Sequence, residues 1–351
     1  MLVDETTGEV KWDLQDPGEM DATAAMSPDG SLVASVGNND PQWKLWDASG
    51  GLHRMGATHD GSGACKCGVP VLDQPLVVQE GCPVVAQTKG IRALAFSPCG
   101  QRLATGGEDS AVISWDTQTG EAAHRMTGHS MSVLALSFSA DGERLASGSD
   151  DGKICIWDVS SWTLLRTILQ AHEHPQAHEH VNSLHFSPSN NRTLASAGYT
   201  QIALWDVDTG ERIRSFHGAN FAVFSPDGRA IATSNYANDV LLVDPETGDL
   251  VASMVGHSEL ILSASFSVDD GSTLASGSFD GTCKVWDPST GALMRTIEVG
   301  AAMLSVTWGI DWVRDTQRGV AFAMGHHPRL GAGSQVLDLD AGVVRMILDR
   351  V

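Results

Sequence analysis

The sequence is poor in basic residues and contains no long apolar run. Lys and Arg number 22 against 43 Asp and Glu, which gives a formal net charge of −21. Binding to nucleic-acid phosphates requires a basic stripe, so we expect no nucleic-acid ligand. No run of about 18 apolar residues occurs, so we expect no membrane-spanning helix. The first residues are acidic, which does not fit a secretory signal peptide.

Cysteine is also scarce for a chain of 351 residues. The six cysteines are distributed over a large chain, at Cys65, Cys67, Cys82, Cys99, Cys155 and Cys283. This distribution argues against a disulfide framework and favours a reducing compartment. We therefore expect an intracellular protein, cytoplasmic or nuclear, whose negative charge is compatible with basic protein partners.

Glycine, in contrast, is abundant at 37 residues, and it recurs in turns between short alternating apolar runs. The clearest unit extends from Gly128 to Arg166 and contains four such runs separated by turn signals. Asp-Gly steps between alternating runs favour hairpins, because Gly adopts positive φ without steric cost. The unit therefore predicts a four-stranded antiparallel meander.

Related units recur along the chain about every 42 residues. Each contains an Asp that ends the predicted third strand, and five of these Asp residues follow a Trp. The eight positions are Asp4, Asp47, Asp116, Asp158, Asp206, Asp244, Asp287 and Asp338. One four-stranded sheet cannot bury both of its faces, so the repetition predicts an all-β radial propeller.

The Gly-His, Ser-Pro-Asp-Gly, Leu-Ala-Ser-Gly-Ser and Trp-Asp signatures resemble those of the WD-repeat β-propeller family over residues 1–308. The resemblance implies seven blades of four antiparallel strands and a scaffold that holds other proteins without performing chemistry. The last blade is expected to be closed by both termini, from residues 1–14 plus 300–325. An inserted loop is predicted at 56–89, and the other blades are predicted near 20–55, 91–127, 131–168, 181–216, 219–255 and 260–297.

Residues 309–351 form an atypical tail. The apolar residues from Val343 to Val351 have helical spacing, and Asp340 is a suitable N-cap, which favours a short helix over 336–351. The competing interpretation aligns this segment with a third strand, a turn and a fourth strand. Because the chain begins inside a repeat, we also expect that it could be part of a longer protein.

The resemblance also implies a hydrogen-bonded set in each blade: a His before the first strand, a Ser or Thr in the second, an Asp in the next turn and a Trp in the third. Two blades contain the complete set, at His129, Ser147, Asp151 and Trp157 and at His257, Ser276, Asp280 and Trp286. His, Ser and Asp also form hydrolase triads. The set recurs, however, and includes Trp, so we interpret it as structural, because groups that are costly to bury alone stiffen a blade when they are paired. No catalytic residue and no cofactor are predicted.

The remaining blades keep only part of this set. The matching residues are Thr105, Asp109 and Trp115 with no upstream Gly-His; Ser35, Asp40 and Trp46; Ser196 and Trp205 with His178 upstream and Tyr199 near the Asp position; and Thr233 with Val243 in place of Trp. We expect lower local stiffness in these blades and an unchanged fold.

Four aromatic residues fall in predicted loops between second and third strands, at Trp43, Tyr199, Tyr236 and Phe279. Aromatic residues exposed on one rim are typical of protein-binding hot spots. The alternative is that each one packs against the neighbouring blade. We interpret the four residues as a candidate partner-binding rim.

Two insertions on the same rim contain potential metal ligands. The first contains Cys65, Cys67 and Cys82 with His59, a spacing that matches structural zinc sites poorly, so a long solvated loop is favoured. The second repeats the segment 170–174 as 176–180, and its histidines could bind a divalent ion or respond to pH. We favour a duplication without such a role, and no metal site is predicted.

The predicted function is a non-enzymatic scaffold for protein–protein interaction, monomeric within a larger complex. One alternative is the substrate receptor of a ubiquitin ligase, for which the family often carries Trp-Asp-x-Arg, but no Trp-Asp here has Arg at that position. The other is the propeller portion of a larger regulatory or enzymatic protein. No Gly-rich phosphate loop, Gly-x-Ser-x-Gly elbow or metalloprotease helix occurs in the sequence.

Overall fold

The computed structural model describes residues 2–4, 10–12, 21–37, 42–47, 52–55, 87–169, 180–267, 271–298, 303–311, 317–324 and 344–350. These residues form strands, turns and bends, with no helix among them. Accordingly, no helix in the described part of the chain is long and apolar enough to cross a membrane.

The strands follow one another in short antiparallel runs. Two short strands come first, β1 (Leu2–Asp4) and β2 (Val10–Trp12). Six four-stranded sheets follow, which we number blades 1 to 6. Blade 1 contains β3 (Asp21–Met26), β4 (Leu32–Gly37), β5 (Trp43–Asp47) and β6 (Leu52–Met55); blade 2 contains β7 (Ile91–Phe96), β8 (Arg102–Gly107), β9 (Ala111–Asp116) and β10 (Ala122–Thr127). Blade 3 contains β11 (Val133–Phe138), β12 (Arg144–Ser149), β13 (Ile154–Asp158) and β14 (Thr163–Ile168).

The remaining sheets have the same order along the chain. Blade 4 contains β15 (Ser183–Phe186), β16 (Thr193–Ala197), β17 (Gln201–Asp206) and β18 (Arg212–His217). Blade 5 contains β19 (Ala219–Phe224), β20 (Ile231–Ser234), β21 (Val240–Val243) and β22 (Leu250–Met254). Blade 6 contains β23 (Ile261–Phe266), β24 (Leu274–Ser278), β25 (Thr282–Asp287) and β26 (Ala292–Glu298); the last strands are β27 (Met303–Asp311), β28 (Gln317–Met324) and β29 (Val344–Arg350).

The blades are arranged radially. The first strands of successive blades contact each other from β3 through β7, β11, β15 and β19 to β23, and β27 contacts both β23 and β3. The second and third strands are buried along most of their length, because neighbouring blades cover both faces of each sheet. The fourth strands are largely exposed, so they form the outer edge of the propeller.

In blades 2 to 6 the recurring Asp at the end of the third strand caps the turn to the fourth strand. Asp116 Oδ1 accepts the backbone N–H groups of Gln118 and Thr119, both at 2.9 Å. Asp206 accepts the two corresponding N–H groups, of Asp208 and Thr209, at 2.9 and 3.0 Å. Asp is therefore favoured here because its side chain satisfies backbone donors that the turn leaves unpaired.

The prediction of seven four-stranded antiparallel blades is wrong, because six such blades are present. The ring closes through a different, five-stranded sheet with the order β2-β1-β29-β28-β27. In it β29 occupies the third position, so β1 pairs with β29 in parallel and β2 becomes a fifth, outer strand. The segment that ends at Asp4 is predicted to end the third strand of this sheet, but β29 occupies the third position.

The predicted C-terminal helix is also wrong in the described residues, since residues 344–350 form β29. This strand pairs with β28 over its full length, from Val344 opposite Ala323 to Arg350 opposite Gln317. The helical spacing of the apolar residues is a local signal, and pairing with an exposed strand edge overrides it. The insertion at 56–89 lies outside the described residues except for its last three.

Adjacent blades are joined by a contact between a side chain on the outer strand of one blade and a turn of the next, and this contact occurs in two chemical forms. Arg166 and Arg214, on outer strands, donate to the carbonyl oxygens of Asp208 and Thr247 in the next blade, at 2.6 and 3.0 Å. The turn they cover contains a Gly at positive φ, Gly210 with φ 77° in one case. Arginine thus fits over a turn that has no side chain at this point.

Between blades 2 and 3 both partners differ. His124 replaces the arginine and Trp162 replaces the glycine, with their rings stacked at a centroid distance of 5.4 Å and an interplanar angle of 19°. Trp162 has φ 55°, a conformation that is costly for a bulky L-residue. We infer that packing between the two blades holds Trp162 in this conformation.

This joint gives a direct prediction for variants of Trp162. Trp162→Ala should be less stable than Trp162→Gly by about 1 kcal/mol, because Ala retains the positive-φ penalty and Gly removes it. Adding His124→Arg to Trp162→Gly should recover at least about 0.5 kcal/mol, because it rebuilds the arginine–glycine joint. Chemical denaturation of the four proteins checks this, and equal stability of the Ala and Gly variants would contradict it.

Candidate functional site on the propeller rim

One rim of the propeller is formed by two kinds of loop: those that precede the first strand of a blade, and those that join its second and third strands. The candidate residues from the sequence belong to the blades beneath these loops or to the loops themselves. The hydrogen-bonded sets lie just below this rim and hold some of its loops, as Asp151 does when it accepts the N–H of Ser130.

In blade 3 the structure brings all four predicted residues together. Ser147 Oγ lies 2.8 Å from His129 Nε2 and accepts the indole N–H of Trp157 at 2.8 Å. His129 Nδ1 lies 3.3 Å from Asp151 Oδ1, and both side chains are almost fully buried. Burial lowers the pKa of His129, but the hydrogen bond to Asp151 and the adjacent Cys155 outweigh it and raise that pKa to about 9.

In blade 6 the geometry is the same and the electrostatics differ. His257 lies 2.8 Å from Ser276 Oγ through Nε2 and 2.8 Å from Asp280 Oδ2 through Nδ1. Trp286 donates its indole N–H to Ser276 Oγ at 2.8 Å. Burial lowers the pKa of His257, and the Lys284 ammonium lowers it further against the opposing effect of Asp280.

The two imidazoles have different neighbours, which include Cys155 in blade 3 and Lys284 in blade 6. Cys155 and Lys284 each stand two residues before the Trp of their blade. Lys284 is buried and donates to Thr296 Oγ1 at 3.0 Å, so a cation is fixed beneath the imidazole of blade 6, whereas Cys155 Sγ lies 4.0 Å from Nδ1 of the imidazole in blade 3.

Blade 2 contains a complete set that the sequence analysis did not identify. Gln87 takes the place of the missing histidine: its Oε1 accepts from Thr105 Oγ1 at 2.9 Å and its Nε2 donates to Asp109 Oδ1 at 2.6 Å. Trp115 donates to Thr105 Oγ1 at 2.8 Å. An amide therefore makes both bonds of the imidazole without a titratable group.

The sets in blades 1 and 4 are shorter. Trp46 donates to Ser35 Oγ at 2.9 Å, and Trp205 donates to Ser196 Oγ at 2.8 Å. Asp40 and His178, predicted to belong to these sets, lie outside the described residues. His180 does not bond to Ser196 in the structure. Its Nδ1 lies 2.8 Å from Asp150 Oδ1 of blade 3.

Trp43 does not belong to the rim surface. It is the first residue of β5, has no exposed area, and packs edge-on against Trp115 of blade 2 at a centroid distance of 5.4 Å. The alternative of packing against a neighbouring blade therefore applies to this residue. Its prediction as a partner-binding residue is wrong.

The other three aromatic residues do lie on the rim. Tyr236 is 69% exposed, and its hydroxyl donates to the carbonyl oxygen of Tyr199 in blade 4 at 2.7 Å. Tyr199 is half-buried and meets the ring of His180 edge-on at 5.7 Å. Phe279 is half-buried in blade 6. Tyr236 is thus the aromatic residue most available to a partner.

The His, Ser and Asp groups are not arranged for nucleophilic catalysis. Ser147 and Ser276 are completely buried, and each hydroxyl oxygen already contacts both an imidazole and an indole N–H. A substrate carbonyl could not reach either hydroxyl without unpacking the blade.

No group of three or more His, Cys, Asp and Glu side chains suited to a metal ion occurs in the part of the chain that the structure describes. Cys65, Cys67, Cys82 and the duplicated segment before His180 lie outside that part.

Comparison with known proteins is consistent with this architecture. The sequence model of the WD domain, G-beta repeat, matches residues 81–116, 120–158, 162–206 and 248–287. Nuclear distribution protein PAC1 of Coccidioides posadasii is 29% identical over 242 residues, which cover 59% of this chain and 50% of that protein. Autophagy-related protein 16 of Arabidopsis thaliana is 27% identical over 227 residues, covering 64% and 43%. COMPASS component SWD3 of Saccharomyces cerevisiae is 24% identical over 157 residues, covering 44% and 45%. The chain spans half or less of the length of these relatives.

Proposed function

Because the chain belongs to the WD-repeat family, we propose that it is a non-enzymatic scaffold that binds partner proteins on its rim. The observation that carries this proposal is Tyr236, a largely exposed aromatic residue whose hydroxyl is fixed to the neighbouring blade. A rigid aromatic side chain provides a large contact area at a low entropic cost, as hot-spot residues do.

The support beneath the rim favours the same conclusion. The buried sets in blades 2, 3 and 6 tie loops before the first strand to loops after the second, for example through Asp151, which accepts the N–H of Ser130 at 2.8 Å. Loops held in this way lose little freedom when a partner binds. The name of the yeast relative describes it as a component of COMPASS, and membership of an assembly is the role we propose here.

We further expect the chain to act as a monomer within such an assembly, inside the cell, without a cofactor. The formal net charge of −21 favours partners that carry positive charge on the contacting surface. No ubiquitin-ligase role is proposed, because the Trp-Asp pairs lack the arginine that the receptor subgroup carries.

The proposal predicts that Tyr236→Ala reduces capture of native partners from cell lysate by about tenfold or more, as loss of a hot-spot tyrosine does. Tyr236→Phe should retain most of the capture, because the ring remains. Ile213→Ala is the matched control, since Ile213 is also exposed but lies on the outer strand of blade 4. Captured proteins are quantified by mass spectrometry, alongside the thermal unfolding midpoint of each variant. Unchanged capture by a folded Tyr236→Ala protein would contradict the proposal.

A further inference from the structure

We propose that the rim of blade 5 binds an extended peptide segment through a lysine or arginine side chain of that segment. This inference rests on the proposed scaffold function and specifies the partner. The site, which we call the blade 5 platform, consists of Tyr199, Tyr236, Asp239, Val255 and Glu259.

The platform exists because one rim loop is shortened. The loop before the first strand contains residues 128–132 between β10 and β11, and residues 255–260 between β22 and β23. Between β18 and β19 this loop consists of Gly218 alone. The longer loops contain the histidines of the buried sets. Blade 5 therefore has no such histidine, and Val243 stands in place of the Trp. On the rim of blade 5, the loop before the first strand therefore consists of one residue, and the loops that carry Tyr199 and Tyr236 are the longer ones there.

The loop that presents Tyr236 is rigid even without the buried set. Asn235 Oδ1 accepts the backbone N–H groups of Ala237 and Asp239, both at 2.9 Å, and its Nδ2 donates to Asp239 Oδ2 at 3.0 Å. Asn238 adopts φ 66° and donates through Nδ2 to the carbonyl oxygen of Ser258 in blade 6. Tyr236 is therefore held from both sides, which lowers the entropic cost of binding a partner.

The platform combines apolar area with negative charge. Val255 and Tyr236 are 72% and 69% exposed, the two highest values among the large apolar side chains that the structure describes. Val240 pairs with Met254 in β21 and β22, so the next positions outward, Asp239 and Val255, lie side by side. Val255 thus lies next to Asp239, and Tyr236 belongs to the same rim loop as Asp239.

The charges of this rim select a cationic ligand. In the described rim segments of blades 4 to 6, residues 198–201, 218–220, 235–239, 255–260 and 279–281, there is no Lys or Arg. Asp239 and Glu259 make no ion pair with a Lys or Arg among the described residues. A lysine or arginine of a partner could pair with Asp239 while lying over the ring of Tyr236, an arrangement that gains both charge pairing and cation–π attraction. The apolar part of the segment would cover Val255.

The test uses the full chain and an array of 12-residue peptides of random composition. Each peptide that binds is synthesised again with citrulline for every arginine and acetyl-lysine for every lysine, which removes charge and keeps shape. Affinities are measured by fluorescence anisotropy for wild type, Tyr236→Ala, Tyr236→Phe, Asp239→Asn and Ile213→Ala. Asp239→Asn retains an acceptor for Asn235, so the loop can keep its internal bonds, and thermal unfolding of each variant verifies folding.

We expect the neutral peptides to bind at least tenfold more weakly, Tyr236→Ala and Asp239→Asn to lose at least fivefold, and Tyr236→Phe and Ile213→Ala to stay within twofold of wild type. Equal binding of charged and neutral peptides, or unchanged binding by Asp239→Asn, overturns the inference. Self-association of the chain that is lost in Tyr236→Ala would make a second copy the occupant and would also overturn it. If Tyr236→Ala loses lysate capture but charged and neutral peptides bind equally, the scaffold function stands and only this inference fails. If Tyr236→Ala leaves lysate capture unaffected and no peptide binds, both the scaffold function and this inference fail.

Discussion

Replacing Ser147 with alanine should lower the free energy of unfolding by about 2–4 kcal/mol, because two buried polar groups lose their shared partner at once. Ser147 Oγ contacts the imidazole of His129 and the indole N–H of Trp157, both at 2.8 Å. Neither group can reach water from its buried position, so each pays its desolvation cost without a hydrogen bond.

The control for this prediction is present in the chain itself. Thr105 occupies the same position in blade 2 and makes the same two kinds of contact. Ser147→Thr should therefore remain within about 1 kcal/mol of wild type. Urea denaturation followed by tryptophan fluorescence measures all three proteins. If Ser147→Ala is as stable as Ser147→Thr, the buried set does not stabilise the blade as argued here.

Raising the pH from 6 to 9.5 should remove about 3 kcal/mol of stabilisation that His129 provides. The pKa of His129 is about 9 in the folded protein against 6.5 for an unperturbed histidine. A raised pKa stabilises the folded state fully below pH 6.5, and this contribution is lost as the pH rises through about 9. The Asp151 carboxylate, whose pKa is lowered in turn, remains charged throughout this range.

The measurement compares wild type with His129→Gln, a change that copies Gln87 of blade 2 and does not titrate. The difference between their free energies of unfolding should shrink by about 3 kcal/mol between pH 6 and pH 9.5. His257→Gln is expected to show the opposite pH dependence. The pKa of His257 is lowered, so the stabilisation that His257 provides is present above pH 6.5 and is lost as the pH falls. Parallel pH profiles for both variants would contradict the assignment of opposite shifts to the two imidazoles.

Most of the blade architecture could be predicted from the sequence because its signals are local and repeated. Asp-Gly turns and alternating apolar runs determine hairpins over a few residues, and the capping role of Asp116 or Asp206 is repeated in blades 2 to 6. Gln87 does not match the Gly-His signature, so that signature alone does not identify it. Spacing could have found it, since Gln87 precedes Asp109 by the same 22 residues that separate His129 from Asp151.

The errors arose where tertiary packing decides the outcome. Trp43 is predicted to lie in a loop, but it occupies the buried position that Ile154 holds in blade 3, three residues before the Trp of its blade. The strand at 344–350 has apolar spacing that also fits a helix, and only pairing with β28 distinguishes the two. The strand position of Trp43 follows from its spacing to Trp46, but its packing against Trp115 cannot be read from local spacing, because Trp115 lies far away in the chain.

The five-stranded sheet has a consequence for the order of folding. Leu2 pairs with Met346, and Asp4 with Leu348, so this sheet joins segments from nearly opposite ends of the sequence. The six blades depend on contacts between neighbours in sequence, and such low-contact-order units form quickly and can assemble during synthesis from the N-terminal side. Pairing of β1 with β29 must wait until residues 344–350 have left the ribosome. We therefore expect ring closure to be the slow, late step of folding, and until it occurs the N-terminal strands must be kept from pairing with other chains.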